Sequence, residues 1–599
     1  MRKLNIINSP PSKKAVSPVI GVILLVAVTV GLVALASVLV FQFGDDISDS
    51  SDVSVNMQES SDGVTVTTVR NENAKSLRII GPNGQEQTMS EVGEDITIAD
   101  GDGTYTIIAD LEDGTEEVII SREISTKLLM NGVIEFNPPA EGVLVESFDE
   151  EGNFVDSDVT DSNGIYNVEE TNTITINGYD TTPDEEGNIN LQDISDSTGD
   201  NITDILMDGD GSTSSPYEIK TASDLQAVNE DTSANYILIN DISASHTGNW
   251  NNGAGFNSIG NAFISEGSTI YDDGFTGVLN GQGYNIYNLN INRPSESYVG
   301  LFEFINNGEV ENINLRDINV NGNTHVGGIV GYNTGSITNS NTEGNIIGGG
   351  GAIGGLVGFH SGGSITESYS DIIVTSEGGF TGGLVGDNRA SITESYSIGE
   401  VTGDNDNIGG LAGYNSNEGD IGQSYSEVIV LNENESSDNI GGFVGYNNGG
   451  NIEQSYSIGE VEGNNARTGG FVGYNNGGLI TQSYSESNVN GDRNVGGLVG
   501  ENKGDLEFSY SIGDVSGNEN VGGIVGGTDR DIFDVYWNTD SVIELNDGTD
   551  KSTDESNDGT GLTTNEMTGS TAETHMSELF TFESSVWITV PDDYPELDW

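Results

Sequence analysis

Cysteine is absent from this chain of 599 residues, which excludes a disulfide framework, a thiolate nucleophile and any cysteine-held metal. Cations are scarce: 18 Lys and Arg stand against 96 Asp and Glu, a formal net charge of −78. Charge of that sign, spread along the whole chain, repels nucleic acid. At ordinary ionic strength it also destabilises a compact state. In molar salt the screening length falls to roughly 3 Å, so the composition fits a protein made for a halophile's surroundings. The four histidines, His246, His325, His360 and His575, are too scattered to supply a His-Glu-x-x-His zinc pair. Gly-rich stretches abound, yet none runs into Gly-Lys-Ser or Gly-Lys-Thr, and no nucleophile elbow occurs. Two neighbouring carboxylates are background in so acidic a chain. The expectation is that the chain is not an enzyme.

What the sequence does contain is repetition. Gly-Gly-apolar-Val-Gly begins at Gly327, Gly354, Gly382, Gly441, Gly469, Gly496 and Gly522, and Gly409 opens a copy with Ala412 in place of Val. Val299-Gly300-Leu301-Phe302 is a degenerate first copy. Successive blocks lie 27, 28, 27, 32, 28, 27 and 26 residues apart. A period in the high twenties, with short β-branched runs and no helical apolar spacing, predicts one coil of a β-solenoid per repeat. Each coil reads as three strands. In the coil from Gly469 these are Gly470 to Gly473, Leu479 to Ser485 and Ser487 to Asn490, with Asn475-Asn476-Gly477-Gly478 as a turn. The repeat glycines are expected to supply positive φ at corners. Nine coils at the spacing of hydrogen-bonded strands make a rod about 40 Å long.

Equivalent residues then stack into columns. Ile337, Ile365, Ile392, Ile421, Ile452, Ile480 and Leu506 form one candidate core column, and Val401, Val461, Val489 and Val515 another. Tyr369, Tyr396, Tyr425, Tyr456, Tyr484 and Tyr510 form a third. Strand alternation puts each Tyr on the face of the residue two before it, which includes Glu367 and Glu394. Two unpaired buried carboxylates are costly, so the serines are expected inside and the tyrosine ladder outside. An outward ladder either stacks coil on coil or forms a stripe for carbohydrate or surfaces. The largest break in the period, the 32-residue step after Gly409, places extra residues around Leu431 to Asp438, as insertions in solenoids go to loops on one face.

Gly-Gly-Leu-Val-Gly followed by Ser-Ile-Thr-x-Ser-Tyr-Ser and Gly-x-Val-x-Gly resembles the GLUG motif of bacterial and archaeal surface proteins and adhesins, over about residues 300–526. Ser215-Pro216-Tyr217-Glu218-Ile219 and Phe275 to Tyr284 resemble the first coils that precede such repeats. The resemblance implies a right-handed parallel β-solenoid with a capped first coil.

The amino terminus carries a second resemblance. Pro18 to Phe43 is uncharged and long enough to span a bilayer as a helix, with Arg2, Lys3, Lys13 and Lys14 before it and acidic residues after it. The positive-inside rule then exports the remainder. Lys14-Ala15-Val16-Ser17-Pro18-Val19-Ile20-Gly21 resembles the start of archaeal type IV pilins. That resemblance implies cleavage by a prepilin peptidase between Ala15 and Val16, with the apolar helix kept for a membrane or a filament core. Ile20 stands where many bacterial pilins have Glu.

The resulting organisation is mainly β. A leader is expected over 1–15, the hydrophobic helix over 16–43 and a small β-rich pilin-like domain over 44–130. Residues 131–178 resemble a carboxypeptidase-regulatory-like β-sandwich, through Gly142-Val143-Leu144-Val145 and Thr160 to Tyr166. An acidic linker over 179–213 leads to the first coils and cap over 214–298 and the repeats over 299–540. A second acidic linker over 541–560 and a terminal segment over 561–599 complete the chain. No cofactor is expected. The nearest approach to a calcium loop has Asp184, Glu186 and Asp193 at ligand-like places, but Thr182 stands where its first Asp should be. Asn201 and Asn434 head the two glycosylation sequons.

Together these readings predict a pilin-like, membrane-anchored surface protein of a halophilic archaeon. The expected partners are the membrane, other pilin subunits and a polysaccharide or protein ligand. A surface structural protein that never enters a filament is the second reading, and an extracellular polysaccharide-acting enzyme a more distant third.

Overall fold

The structure, a computed structural model, describes residues 53–599 apart from loop stretches, of which the longest are 192–201, 261–273 and 546–558. The processing residues Lys14, Ala15, Val16, Ser17 and Pro18, the apolar run to Phe43, the sequon residues Asn201 and Asn434 and the loop acids Asp184, Glu186 and Asp193 lie outside the described residues. Among the described residues no helix is long and apolar enough to cross a membrane.

The chain divides into two compact units, 1–129 and 130–599. In the first, strands Ala74–Ile80, Glu86–Met89, Gly103–Leu111 and Glu116–Ile124 form one antiparallel sheet, and Val53–Ser60, Gly63–Asn71 and Asp95–Ile98 another. Alternation buries Leu77, Ile79, Tyr105, Ile107 and Ala109, the pattern of a sheet with one face on a core.

The second unit begins with a sandwich of two sheets. One orders Phe154–Val159, Leu144–Phe148, Thr173–Ile176 and Tyr179–Thr181; the other orders Ile165–Glu169, Leu129–Glu135 and Ile189–Asn190. Tyr179–Thr181 and Ile189–Asn190 fall where a linker is expected from composition. The reason is local: Ile189 and Leu191 are apolar residues with a core to enter, and both are buried. Helix Ile202–Leu206 closes the same interior, its backbone carbonyl at Ile205 accepting from Asn177 Nδ2 at 2.9 Å.

From Tyr217 onward the chain winds into a parallel solenoid with three sheets. The Ile sheet has eleven strands, the Gly-Val sheet nine and the Tyr sheet twenty-two, the last because each coil lends it more than one short strand. Pairing is in register along each column, Ile337 with Ile365, then Ile392, Ile421, Ile452, Ile480 and Leu506. That column and Val401, Val461, Val489 and Val515 are all at most 2 % exposed, as the sequence predicts. Helix Ala222–Ala227, held by a capping box between Thr221 and Asp224, covers the first coil. There the sandwich docks, Glu141 N–H donating to Ser223 Oγ at 3.1 Å and His246 meeting the Glu141 carboxylate at 3.0 Å.

The repeat glycines serve a different purpose from the one expected. None of Gly327, Gly354, Gly382, Gly409, Gly441, Gly469, Gly496 or Gly522 has positive φ. At the first seven a Cβ would lie 2.0–2.5 Å from the carbonyl oxygen three residues on, so the chain folds too tightly on itself for any side chain. The left-handed corner lies instead at Glu367, Glu394, Gln423, Gln454, Gln482 and Phe508, with φ between 47° and 50°. This corner breaks the alternation. Glu367 faces solvent, Ser368 turns in, Tyr369 turns out and Ser370 turns in again.

The inward serines make the corner affordable. Ser368 Oγ donates to the Thr366 carbonyl at 2.8 Å and accepts from Ser340 N–H of the preceding coil at 3.1 Å, and Ser395, Ser424, Ser455 and Ser483 repeat the pattern. Two residues after most Gly-Gly-apolar-Val-Gly blocks stands a buried amide. Asn388, Asn415, Asn447, Asn475 and Asn502 pass a hydrogen bond from Nδ2 to the next Oδ1 at 2.8–3.0 Å. These buried serines and amides thus have partners in the neighbouring coil, as burial favours.

Beyond 540 the solenoid continues. Ile543–Leu545 pairs with Val515–Gly517 and Thr560–Leu562 with Tyr536–Asn538, where a linker and a separate segment are expected from the acidic composition. Helices Thr564–Met567, Gly569–His575 and Ser577–Thr581 and the hairpin of Trp587–Ile588 with Glu596–Leu597 follow. They enclose a small core of Leu562, Met567, Ala572, Met576, Leu579 and Trp587 against Tyr484, Tyr510 and Tyr536.

Candidate binding surfaces

Two aromatic columns run along the rod. The first is the expected tyrosine ladder, in register on the Tyr sheet from Tyr369 through Tyr396, Tyr425, Tyr456 and Tyr484 to Tyr510. Centroids are 4.5–4.9 Å apart and planes within 11° of parallel. Isolated rings prefer offset or edge contacts, so this face-to-face stack is set by the spacing of parallel strands.

The ladder is open at one end only. Tyr369, Tyr396, Tyr425 and Tyr456 are half-buried, whereas Tyr484 is 5 % and Tyr510 0 % exposed, a correction to the expectation of an outward ladder throughout. The cause is the terminal segment folding back. Trp587 packs 6.0 Å from Tyr484 and 5.5 Å from Tyr510, Tyr510 Oη donates to the Pro595 carbonyl at 2.5 Å, and Trp599 lies 6.0 Å from Tyr456. Burial, with Glu427, Glu486 and Glu596 nearby, pushes the Tyr456 phenol up to about 12. This face is acidic as well as aromatic.

The second column was not anticipated from sequence. On the Gly-Val sheet the residue after each block from Gly327 to Gly496 lies on the outer side, giving Tyr332, Phe359, Asp387, Tyr414, Tyr446, Tyr474 and Glu501 in register, with Asp387 covered to 3 % exposure. Neighbouring rings are 5.1 Å apart for Tyr332 and Phe359, 5.4 Å for Tyr414 and Tyr446 and 5.1 Å for Tyr446 and Tyr474. Where the column carries a carboxylate, a cation fills the gap. Arg389 pairs with Asp387 at 2.8 Å and sits 4.8 Å over Phe359; Arg467 and Lys503 pair with Glu501 and lie 4.5 and 5.2 Å from the Tyr474 ring. The two cations hold the Glu501 carboxyl below its ordinary range although burial opposes them. An amide row borders the rings. Asn448 Nδ2 donates to Tyr414 Oη at 2.7 Å and Asn476 Nδ2 to Tyr446 Oη at 3.1 Å.

Among the described residues no group of three or more His, Asp and Glu is placed to hold a metal ion. His325 stacks on Tyr298 at 4.8 Å and burial lowers it to about 4, while His360 is a rung of the buried amide ladder. Neither belongs to a converging constellation.

Comparison with known proteins agrees with the two motif readings. Residues 14–55 match the archaeal type IV pilin N-terminal family, and 322–347 and 436–462 match the GLUG motif. Halomucin of Haloquadratum walsbyi is 41% identical over 98 residues, 16% of this chain and 1% of that protein. The chain therefore spans a very small part of the curated relative it matches. These similarities describe a haloarchaeal-type surface protein. Among solved structures, a putative immunoglobulin A1 protease from Bacteroides ovatus aligns over 65% of this chain and 94% of its own at 17% identity, with a TM-score of 0.29. An IgA1 protease aligns over 70% of this chain and 29% of its own at 14% identity, with a TM-score of 0.28. Likeness at that level transfers no activity.

Proposed function

We propose that the chain is a pilin-like, membrane-anchored surface protein whose solenoid is carried outside the cell as an adhesive rod. The observation that carries this reading is the joining, in one polypeptide, of a pilin-type amino terminus to a rod with two columns of surface aromatics in register. Aromatic rings with a polar edge favour recognition surfaces. The function is binding rather than catalysis, since the columns repeat a contact from coil to coil and gather no acid, base and nucleophile at one point. Its immediate partners are the membrane and other pilin subunits, and the distal rod meets a glycan or protein of another surface. Glycans attached at Asn201 or Asn434 are compatible with it.

The test has two arms. Mass spectrometry of the mature chain should find Val16 at its amino terminus, and replacing Lys14 should block cleavage without blocking insertion. Cells lacking the chain should adhere less to surfaces and to one another, and the restored chain should recover adhesion. An intact Met1 in the mature protein rejects pilin processing, and unchanged adhesion rejects the adhesive role.

A further inference from the structure

We infer that the aromatic column of the Gly-Val sheet binds an extended acidic polysaccharide lying along the rod axis, one sugar residue to a coil. The inference deepens the adhesive reading by naming its ligand class, and it rests on that reading only for its biological setting.

Three features of the stripe lead to this class of ligand. The first is spacing. Ring centroids stand 5.1 Å apart in the pair Tyr332 and Phe359 and 5.1–5.4 Å apart in the run Tyr414, Tyr446 and Tyr474, close to the length of one pyranose residue in an extended chain, with Asp387 between pair and run. The rings are turned to one another, at 14° for Tyr446 and Tyr474 and 81° for Tyr414 and Tyr446, so a sugar lying along the column meets ring edges and phenol oxygens, which suit its C–H and hydroxyl groups in alternation. A ladder of rings at the sugar repeat can therefore take a polymer without a cleft.

The second is the polar border. With Asn448 and Asn476 donating into the phenol oxygens of Tyr414 and Tyr446, the rings are held in place from one side. Prealigned donors and acceptors beside an aromatic face suit equatorial hydroxyls, and rigid side chains lose little entropy on binding.

The third is charge. Only six Lys and Arg lie between residues 299 and 540, and three of them, Arg389, Arg467 and Lys503, are on this stripe. Asp387 and Glu501 oppose them, so the stripe carries one net positive charge in a chain of −78. The side chains of Arg389 and Lys503 remain 46% and 38% exposed beside their carboxylates, so both can be reached from solvent. A carboxylate or sulfate on the sugar complements that face. In molar salt the screening length is roughly 3 Å, so these cations act by contact, through charge-assisted hydrogen bonds, and not by long-range steering.

The tyrosine ladder fits such a polymer less well. Its open rungs are flanked on the same sheet by Glu400, Glu427 and Glu460, and its far rungs are covered by the terminal segment.

Binding can be measured by calorimetry on the full-length chain in detergent and molar KCl. The probes are oligogalacturonate, a sulfated oligosaccharide and neutral cello-oligosaccharide, each of six or more residues. The acidic oligomers should bind, more tightly with length up to the number of rungs, and the neutral one at least tenfold more weakly. The double variant R467Q/K503Q should lose tenfold or more in affinity with an unchanged circular dichroism spectrum, and Tyr446→Leu should weaken both acidic probes. If no probe binds, if the neutral oligomer binds equally, or if R467Q/K503Q binds like the parent, the proposal is wrong. These outcomes are independent of cell adhesion: loss of adhesion with binding intact, or the reverse, tells the two readings apart.

Discussion

Asn333 Nδ2 donates to His360 Nδ1 across 3.0 Å, both side chains fully buried in the amide ladder. Asn333 Oδ1 is occupied by Gly335 N–H at 3.0 Å, so the donor sense is fixed and the imidazole must accept at Nδ1. Its Nε2–H then points to the Ser391 carbonyl at 3.3 Å. Protonation would set N–H against N–H inside the rod, and burial lowers the imidazole to about 4.

A pH dependence follows, and its sign is definite. The unfolded chain takes up the histidine proton near 6.5 and the folded chain only near 4, so the stability is fully present above pH 6.5 and is lost as pH falls through that window. The loss from this one group is roughly 3 kcal/mol by pH 4. His360→Asn restores the amide found on the other rungs and should flatten the slope. Denaturant midpoints of parent and variant from pH 7 to 4 measure it. Parallel curves would show that His360 does not titrate as described.

The left-handed corners offer a stabilising change. Glu394 is exposed and sits at φ 50°, a conformation that costs an ordinary L-residue about 1 kcal/mol and Asn considerably less. Glu394→Asn should therefore raise stability by several tenths of a kcal/mol to about 1 over Glu394→Gln, which removes the same charge. Equal melting temperatures for the two variants would mean that the corner carries no such strain.

The glycines divide by mechanism. At Gly441 a Cβ would lie 2.1 Å from the Val444 carbonyl oxygen, whereas at Gly477, with φ +86°, nothing lies within 4 Å. Gly441→Ala should cost at least about 3 kcal/mol or prevent folding, and Gly477→Ala about 1 kcal/mol. Chemical denaturation of both variants decides this, and similar costs would undo the distinction between close approach and backbone conformation.

The coil period, the Ile and Val columns and the inward serines were legible because each rests on a repeat of residue type at a fixed offset. The amide ladder obeyed the same rule and was still missed. Asn475 and its neighbours Asn476, Gly477 and Gly478 have the composition of a turn, and composition hides that Asn475 is fully buried while only Gly477 makes the left-handed bend. The aromatic stripe escaped for a related reason, since Asp387 and Glu501 interrupt its Tyr and Phe residues and the column reads as variable until these acids are seen paired with Arg389 and Arg467. The fold-back of the terminal segment had no local signal, because nothing near Trp587 names Tyr484 or Tyr510 as its partner.

That fold-back can be opened. Trp587 is 3 % exposed between Tyr484 and Tyr510, and a buried Trp truncated to Ala costs about 3–5 kcal/mol. The terminal core is small, so Trp587→Ala should release it while the coils stay paired. Tyr484 and Tyr510 should then react with tetranitromethane, Tyr105 should remain protected, and the strand signal in circular dichroism should persist. Protection of Tyr484 and Tyr510 in the variant would show that the ladder buries them without the cover.

Salt should govern the whole solenoid. Residues 217–545 carry 43 Asp and Glu against eight Lys and Arg, and stacking sets Glu400 beside Ile429 and Glu427 beside Ile458, so carboxylates of neighbouring coils lie diagonally on adjoining columns. The Ile and Glu alternate down each column, so like charges within one column sit two coils apart, about 10 Å, and those on adjoining columns somewhat closer. That is near the screening length at 0.1 M and several times that length at 1 M, so repulsion along the columns is felt in dilute salt and suppressed in concentrated salt. Apolar burial and the ladder hydrogen bonds change much less. Lowering KCl from about 3 M to 0.1 M should therefore reduce the melting temperature markedly or unfold the rod. Replacing Glu400, Glu427 and Glu460 with Gln should recover part of the loss in dilute salt and have little effect at 3 M. A melting temperature independent of salt, or a triple variant with the same salt dependence as the parent, would show that charge repulsion is not what sets the solenoid's stability.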